Sequence, residues 1–358
     1  MKYFAAILFL LISIHLSAQT NEYLILEGKI DKYPVTMELT YNDSPKEVGY
    51  NYSGFYYYHS QEIPIDISQI KTSEKDSLNL ISWNSYNEEE TFKGIFKDGI
   101  YKGIWKKNDK KLSFELKRIT PKNRTEMVHF KAKRIVPLET DLTTDTISGS
   151  YEIDFYMPKD LKLQRELVSQ IDSTYQDFQT YSQRTLDAFE KDYKSETKGM
   201  LENAEEIYLS MYSYDFTENF SPVLETENYL VMRYFFYQYT GGAHGMSYET
   251  YFTYDKKNKK WLEIEDFLNT NQADEINAIL DKNLRKKYDI PNGVKLNEAE
   301  NTIFLAEEIS YSHNFSLSKK GITFYYGLYE MTPYVYGFFD FFVPYEDLKP
   351  VLKMEFKY

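Results

Sequence analysis

The 358 residues hold 55 Asp and Glu against 42 Lys and Arg, a formal net charge of −13, with 17% aromatic residues and no cysteine. The missing cysteine excludes disulfides and thiol chemistry, and the acidic balance offers nucleic acid no basic footprint. The charge is uneven: Thr20 to Arg134 carries 19 Lys and Arg against 17 Asp and Glu, a net of +2, whereas Ile135 to the end carries 22 against 38, a net of −16.

In chain order, residues 1–19 have the pattern of a secretory signal peptide. Lys2 precedes an apolar run from Phe4 to Ile14, and Leu16-Ser17-Ala18-Gln19 supplies a small-residue cleavage site near Ala18 or Gln19. The run is short for a bilayer span and no later stretch is apolar enough for one, so no integral membrane segment is expected after cleavage. The expected location is extracytoplasmic, periplasmic or secreted.

Residues 20 to about 118 read as an antiparallel meander. Ile25, Leu26, Ile30, Val35, Met37 and Leu39 alternate loosely, and Gly49-Tyr50-Asn51-Tyr52 with Tyr56-Tyr57-Tyr58 continues the pattern. Residues 92–107, FKGIFKDGIYKGIWKK, repeat with a period of nine around Asp98-Gly99, a hairpin turn pair. Gly94 and Gly103 fall inside the two strands, where glycine permits a bend or a close backbone approach. A small sheet or barrel-like domain over 20–134 follows. The polar stretches Thr120–Arg124 and Asp141–Thr146 place the boundary near Arg134.

Residues 135–358 then predict an α+β domain with an antiparallel sheet packed against long helices. A strand over Ser150–Met157 is followed after Pro158 by a long helical stripe through Val168, Ile171, Tyr175, Phe178, Leu186, Phe189 and Tyr193. Strands are expected at Ile207–Phe216 and Tyr229–Thr240. The second is apolar on both faces and hence central, under the helix. A strand to Asp255, a basic turn over Lys256–Lys260 and a helix capped by Asn271 and running to about Tyr288 come next. Strands at Phe315–Leu317, Ile322–Tyr326 and Phe338–Val343 lead to a short helix after Pro344.

Between the central strand and the strand that runs to Asp255 stands Tyr239-Thr240-Gly241-Gly242-Ala243-His244-Gly245. Flanking strands and the lack of a following Gly-Lys-Ser/Thr exclude a phosphate loop. What remains is a hairpin whose glycines take angles other residues resist, with His244 bonding a carbonyl near its exit, or a ligand contact, or a catalytic imidazole. After signal cleavage the histidines are His59, His129, His244 and His313, none at metal-ligand spacing. No Gly-x-Ser-x-Gly nucleophile elbow occurs. Glu263-Ile264-Glu265-Asp266 and Glu88-Glu89-Glu90 read as solvated acidic faces. No catalytic residue, metal or cofactor is therefore assigned.

Tyr239–Gly245, with Tyr251–Asp255, Trp261–Leu268, Asn314–Leu317, Gly321–Tyr326, Tyr329–Gly337 and Val343–Lys349, resembles a bacterial extracytoplasmic domain of unknown function. That domain occurs in the lysozyme-binding ectodomain of the anti-sigma factor RsiV and in the non-catalytic region of the deacetylase PdaC. The resemblance implies a companion part over about 137–240 and a glycine-motif part over about 241–358. It also implies a binding face at Tyr239, Gly241, Gly242, His244, Gly245, Tyr329, Tyr334 and Tyr336, for cell-wall glycan or a cationic protein such as lysozyme. An envelope hydrolase or deacetylase using His244, and a scaffold with protein partners only, are the alternatives.

Overall fold

The computed structural model describes residues 23–41, 52–70, 76–83, 89–120, 124–140, 147–175, 177–202 and 208–353. The expected signal peptide, Gly49–Asn51, Glu88, and 121–123 and 141–146 near the expected boundary lie outside the described residues.

Eight strands form a closed antiparallel barrel in sequence order. They are β1 (Tyr23–Ile30), β2 (Tyr33–Tyr41), β3 (Tyr52–Tyr58), β4 (Ile65–Ile70), β5 (Ser77–Trp83), β6 (Glu89–Lys97), β7 (Ile100–Lys107) and β8 (Lys110–Arg118). Strand β8 returns to pair with β1, so the meander leaves no free edge. Alternate residues such as Val35, Met37 and Leu39 fill the interior. There Tyr56, Phe92, Phe114 and Tyr101 meet edge to face, and Tyr101 donates to the Leu78 carbonyl at 2.8 Å. Asp98 and Gly99 take φ of 52° and 75°, as a two-residue hairpin turn requires. Gly94 and Gly103 lie opposite each other. A Cβ on Gly103 would sit 2.6 Å from the Gly94 Cα, so these glycines serve close backbone approach.

The second sheet contains β9 (Met127–Pro137), β10 (Ser148–Pro158), β11 (Asp215–Glu225), β12 (Tyr229–Tyr239), β13 (Met246–Asp255) and β14 (Lys260–Leu262), in the order β14-β13-β12-β11-β10-β9. The passage from barrel to sheet thus falls between Arg118 and Met127, ahead of Arg134, which pairs inside this sheet with Tyr151. The sheet is mixed rather than antiparallel throughout. Strands β10 and β11 run parallel, because the helical crossover α1 (Leu161–Ile171) and α2 (Phe178–Leu201) joins them.

The expected long helix is therefore two. The apolar spacing runs on through Tyr175, but the Asp172 carboxylate accepts from the Thr174 N–H, and Asp177 caps α2 through the Thr180 N–H. The strand expected at 207–216 also moves: a 3-10 turn occupies Leu209–Met211, and the strand is β11, bulged between Pro222 and Leu224. Strand β12 is central as its two apolar faces suggest. Leu230 and Met232 pack with the helices, and Val231 joins Phe55 and Tyr57 of the barrel.

A third layer holds β15 (Phe315–Leu317), β16 (Gly321–Tyr326) and β17 (Phe339–Pro344) with α3 (Ile264–Phe267), α4 (Ala273–Tyr288) and α5 (Tyr345–Leu348). Ile276, Leu280 and Leu284 of α4 face its core. Asn271 does not cap α4; it lies in a preceding 3-10 turn, Thr270–Gln272. The side chain of Asn314 joins this layer to the second sheet, accepting from the Tyr251 N–H and donating to the Glu249 carbonyl, both at 2.8 Å. Beside it the Tyr251 and Tyr325 rings stack.

Candidate functional site

The glycine motif is the β12–β13 hairpin. Gln238 and Met246 make its last paired step. Gly241 and Gly242 reverse the chain at φ of 93° and 96°, a region closed to most side chains. The Tyr239 hydroxyl donates to the Gly242 carbonyl at 3.0 Å and closes the turn. At Gly241 the hairpin also lies against the Leu209–Met211 turn, where a Cβ would come within 3.1 Å of the Met211 Cα. Gly245 is needed for a third reason: a Cβ there would sit 2.4 Å from the Tyr237 ring. Gly245→Ala should cost about 1–3 kcal/mol through displacement of Tyr237. Chemical denaturation of the variant measures it, and unchanged stability would contradict this packing.

His244 carries the centre of the site. Its ring stacks on Tyr334, with centroids 4.1 Å apart and planes 25° off parallel. Nδ1 donates to the Gly245 carbonyl at 3.0 Å, and the Tyr329 hydroxyl approaches Nε2 at 3.3 Å. The same Gly245 carbonyl accepts from the Tyr334 hydroxyl at 3.0 Å. The imidazole is thereby fixed in one tautomer, with a carbonyl on one side and a phenol on the other.

The opposing wall comes from the chain after β16. Gly327 to Glu330 form a turn, in which the Glu330 N–H donates to the Gly327 carbonyl and the Glu330 carboxylate accepts from the Gly327 N–H. Tyr329 is held at φ 65°, an unusual state for an aromatic residue that turns its ring toward His244. Pro333 and Gly337 bracket the Tyr334–Tyr336 turn, which lifts Val335 to 84% exposure.

Seven of the eight residues named from sequence therefore meet: Tyr239, Gly241, Gly242, His244, Gly245, Tyr329 and Tyr334. Tyr336 shares the turn of Tyr334 and is exposed, without joining the ring stack. Sequence reasoning missed Tyr237, whose phenol is raised by burial and by nearby Asp215 and Tyr334; as one aromatic among many in β12 it gave no signal. It also missed a cleft of about 500 Å³ between α2 and the sheet. Tyr151, Phe189, Tyr214 and Phe216 line its aromatic side, and it reaches Thr240 at the foot of the hairpin. Among the described residues no cluster of His, Asp and Glu could hold a metal ion, and no helix is long and apolar enough to cross a membrane.

Comparison with known proteins divides this region in two. Residues 146–247 match the family described as Deacetylase PdaC, and residues 265–346 match a family of unknown function, DUF3298. No curated protein matches the chain. A crystal structure of a DUF3298 member from Bacteroides fragilis superposes with a TM-score of 0.54 at 22% identity, covering 65% of this chain and 96% of that one. A DUF3298 protein from Pseudomonas aeruginosa gives 0.42 at 16% identity, covering 64% and 95%. At that identity the Bacteroides likeness speaks to the fold alone. The chain thus carries a PdaC-associated domain over 146–247 and a DUF3298 domain over 265–346, with the hairpin ending the first and the Tyr329–Tyr334 wall inside the second.

Proposed function

We propose that this chain is a non-catalytic binding protein of the cell envelope, exported by residues 1–19, and that its His244–Tyr329–Tyr334 platform takes cell-wall glycan. The observation that carries this reading is the ring stack itself. Tyr329 is 46% exposed and His244 is exposed beside it, so rigid aromatic faces are held open to solvent by a turn and a hairpin. Such faces suit the C–H faces of sugar rings, while Tyr hydroxyls and loop carbonyls serve the sugar hydroxyls. Both nitrogens of His244 are committed to this scaffold, which favours a structural imidazole over a general base. In this reading the barrel, which ends at Arg118, is an accessory domain, and the part from Met127 onward forms the binding domain, its parts to about 240 and from 241 to 358 meeting at the hairpin.

A second partner class, a cationic wall-active protein such as lysozyme, is favoured by the −16 net charge of residues 135–358. That attraction is steep at low salt and weakens as salt is raised. Retention on insoluble peptidoglycan and calorimetry with lysozyme at low and high salt test the two. Tyr334→Ala should weaken glycan binding at least about tenfold, or about 1.4 kcal/mol. Binding to neither partner would overturn the proposal. A turnover that His244→Ala abolishes would establish an enzyme instead.

A further inference from the structure

We propose that the outer face of β6, β7 and β8 is a docking surface for an anionic lipid bilayer. Along these strands the inward residues Phe92, Tyr101, Trp105, Phe114 and Leu116 fill the barrel, and the alternate residues face out. On β6 and β7 the exposed outward residues are lysines and isoleucines in a checkerboard, whereas β8 presents Lys111, Ser113, Glu115 and Lys117, with Glu115 opposite Lys102. Lys93 pairs across with Ile104, Ile95 with Lys102, and Lys97 with Ile100, which in turn pairs with Lys117. Lys106 and Lys111 pair at the far end.

The three isoleucines are 51%, 36% and 48% exposed at 95, 100 and 104, high for aliphatic side chains within strands. Lys93, Lys97, Lys102, Lys106 and Lys111 have no ion pair among the described residues, while Lys117 lies 3.8 Å from Glu115. Other acids near the face are Asp98 and Asp109 in the turns and Glu89 at the start of β6. A neighbouring depression of about 830 Å³ over Gly28 and Gly103 sets Lys29, Lys102 and Lys117 against Glu27, Asp31 and Glu115. The uncompensated positive charge therefore sits on β6 and β7, in a chain whose net charge is −13.

Two chemistries are required of the partner at once. Separated lysines call for a surface with distributed negative charge, and the aliphatic residues between them call for an apolar phase within a side chain's reach. A bilayer with anionic headgroups supplies both: lysine stems run along apolar surface while their ammonium groups meet phosphates, and the isoleucines enter the interface. A soluble polyanion supplies only the charge. Closure of the barrel matters too, since a face without an edge can lie on a membrane without recruiting further strands.

The test is flotation of the chain from Thr20 onward. Residues 1–19 are omitted because their apolar run would itself enter a bilayer, and all described structure lies beyond them. Vesicles of phosphatidylcholine with about one-third phosphatidylglycerol are compared with phosphatidylcholine alone at low and high salt. The wild type should float with the anionic vesicles only. Binding should fall at least about tenfold in a Lys93→Gln, Lys97→Gln, Lys102→Gln, Lys106→Gln variant and also in an Ile95→Ser, Ile104→Ser variant that keeps every charge. No flotation of the wild type would overturn the proposal. So would full binding by the isoleucine variant at unchanged melting temperature, the behaviour of a face that takes soluble polyanions.

Discussion

Arg124→Ala lowers the unfolding free energy by about 3–5 kcal/mol, the cost of leaving a buried charge without its partner. The Glu38 side chain is wholly buried and Arg124 only 12% exposed, with 2.8 Å between guanidinium and carboxylate. Burial alone would lower the Arg124 pKa, but Glu38 outweighs it and holds the guanidinium above its ordinary value. Without the arginine, Glu38 keeps, among the described residues, only the hydroxyls of Tyr23 and Tyr57. The next residue, Thr125, ties the segment that leaves the barrel to Glu225 of β11 through both its N–H and its hydroxyl. Lys117→Ala is the control: its pair with Glu115 is 3.8 Å long with both side chains more than half exposed, worth at most about 0.5 kcal/mol. Urea unfolding of the two variants measures the contrast, and equal small losses would contradict a structural role for the buried pair.

Glu249→Gln should be more stable than the wild type at pH 8 and close to it at pH 5. Glu249 faces Arg233 at 3.9 Å, where barrel, second sheet and third layer meet through Asp66, Tyr251, Tyr325 and Asp340. Burial, helped by Asp66 and Asp340 and opposed by Arg233, pushes the Glu249 carboxyl up to about 7. The folded protein therefore binds a proton that the unfolded chain, with its ordinary carboxyl, releases. The stabilisation from that proton is complete below the unfolded value, near 4.5, and is lost as pH rises through about 7. At 1.36 kcal/mol per unit the loss amounts to about 3 kcal/mol, and the glutamine variant escapes it. Arg233 keeps Asp66 at 2.9 Å in either case. Denaturation of both proteins from pH 5 to 8 gives the difference curve, and a flat one would refute the assignment to Glu249.

What the sequence made legible was local. Asp98-Gly99 specified its hairpin because two consecutive positive φ angles have few other solutions. The helical stripe named Val168, Leu186, Phe189 and Tyr193 of the core but not Leu167 or Tyr181, and it concealed the break between α1 and α2, since Tyr175 continues the apolar spacing while Asp172 and Asp177 stop the backbone. Strand β11 was displaced because Pro222 at its bulge argues against a strand. Barrel closure depends on β1 meeting β8, and the parallel β10–β11 pair on a crossover; neither pairing has a local signature. At the site, Gly241 and Gly242 announced their turn. The stacking of Tyr334 on His244 joins segments far apart in the chain, so residue patterns alone did not reveal it, and only the resemblance had put those residues on one face.

The central claim is that this aromatic platform is a binding face. Titration of soluble peptidoglycan fragments into the protein, followed through the imidazole resonances by NMR, tests it most directly. His244 should shift with the fragments, while His59, bonded to Thr36, and His129, paired with Asp154, stay unmoved. A His244 signal that does not move while the protein binds the fragments would place the face elsewhere and contradict the account.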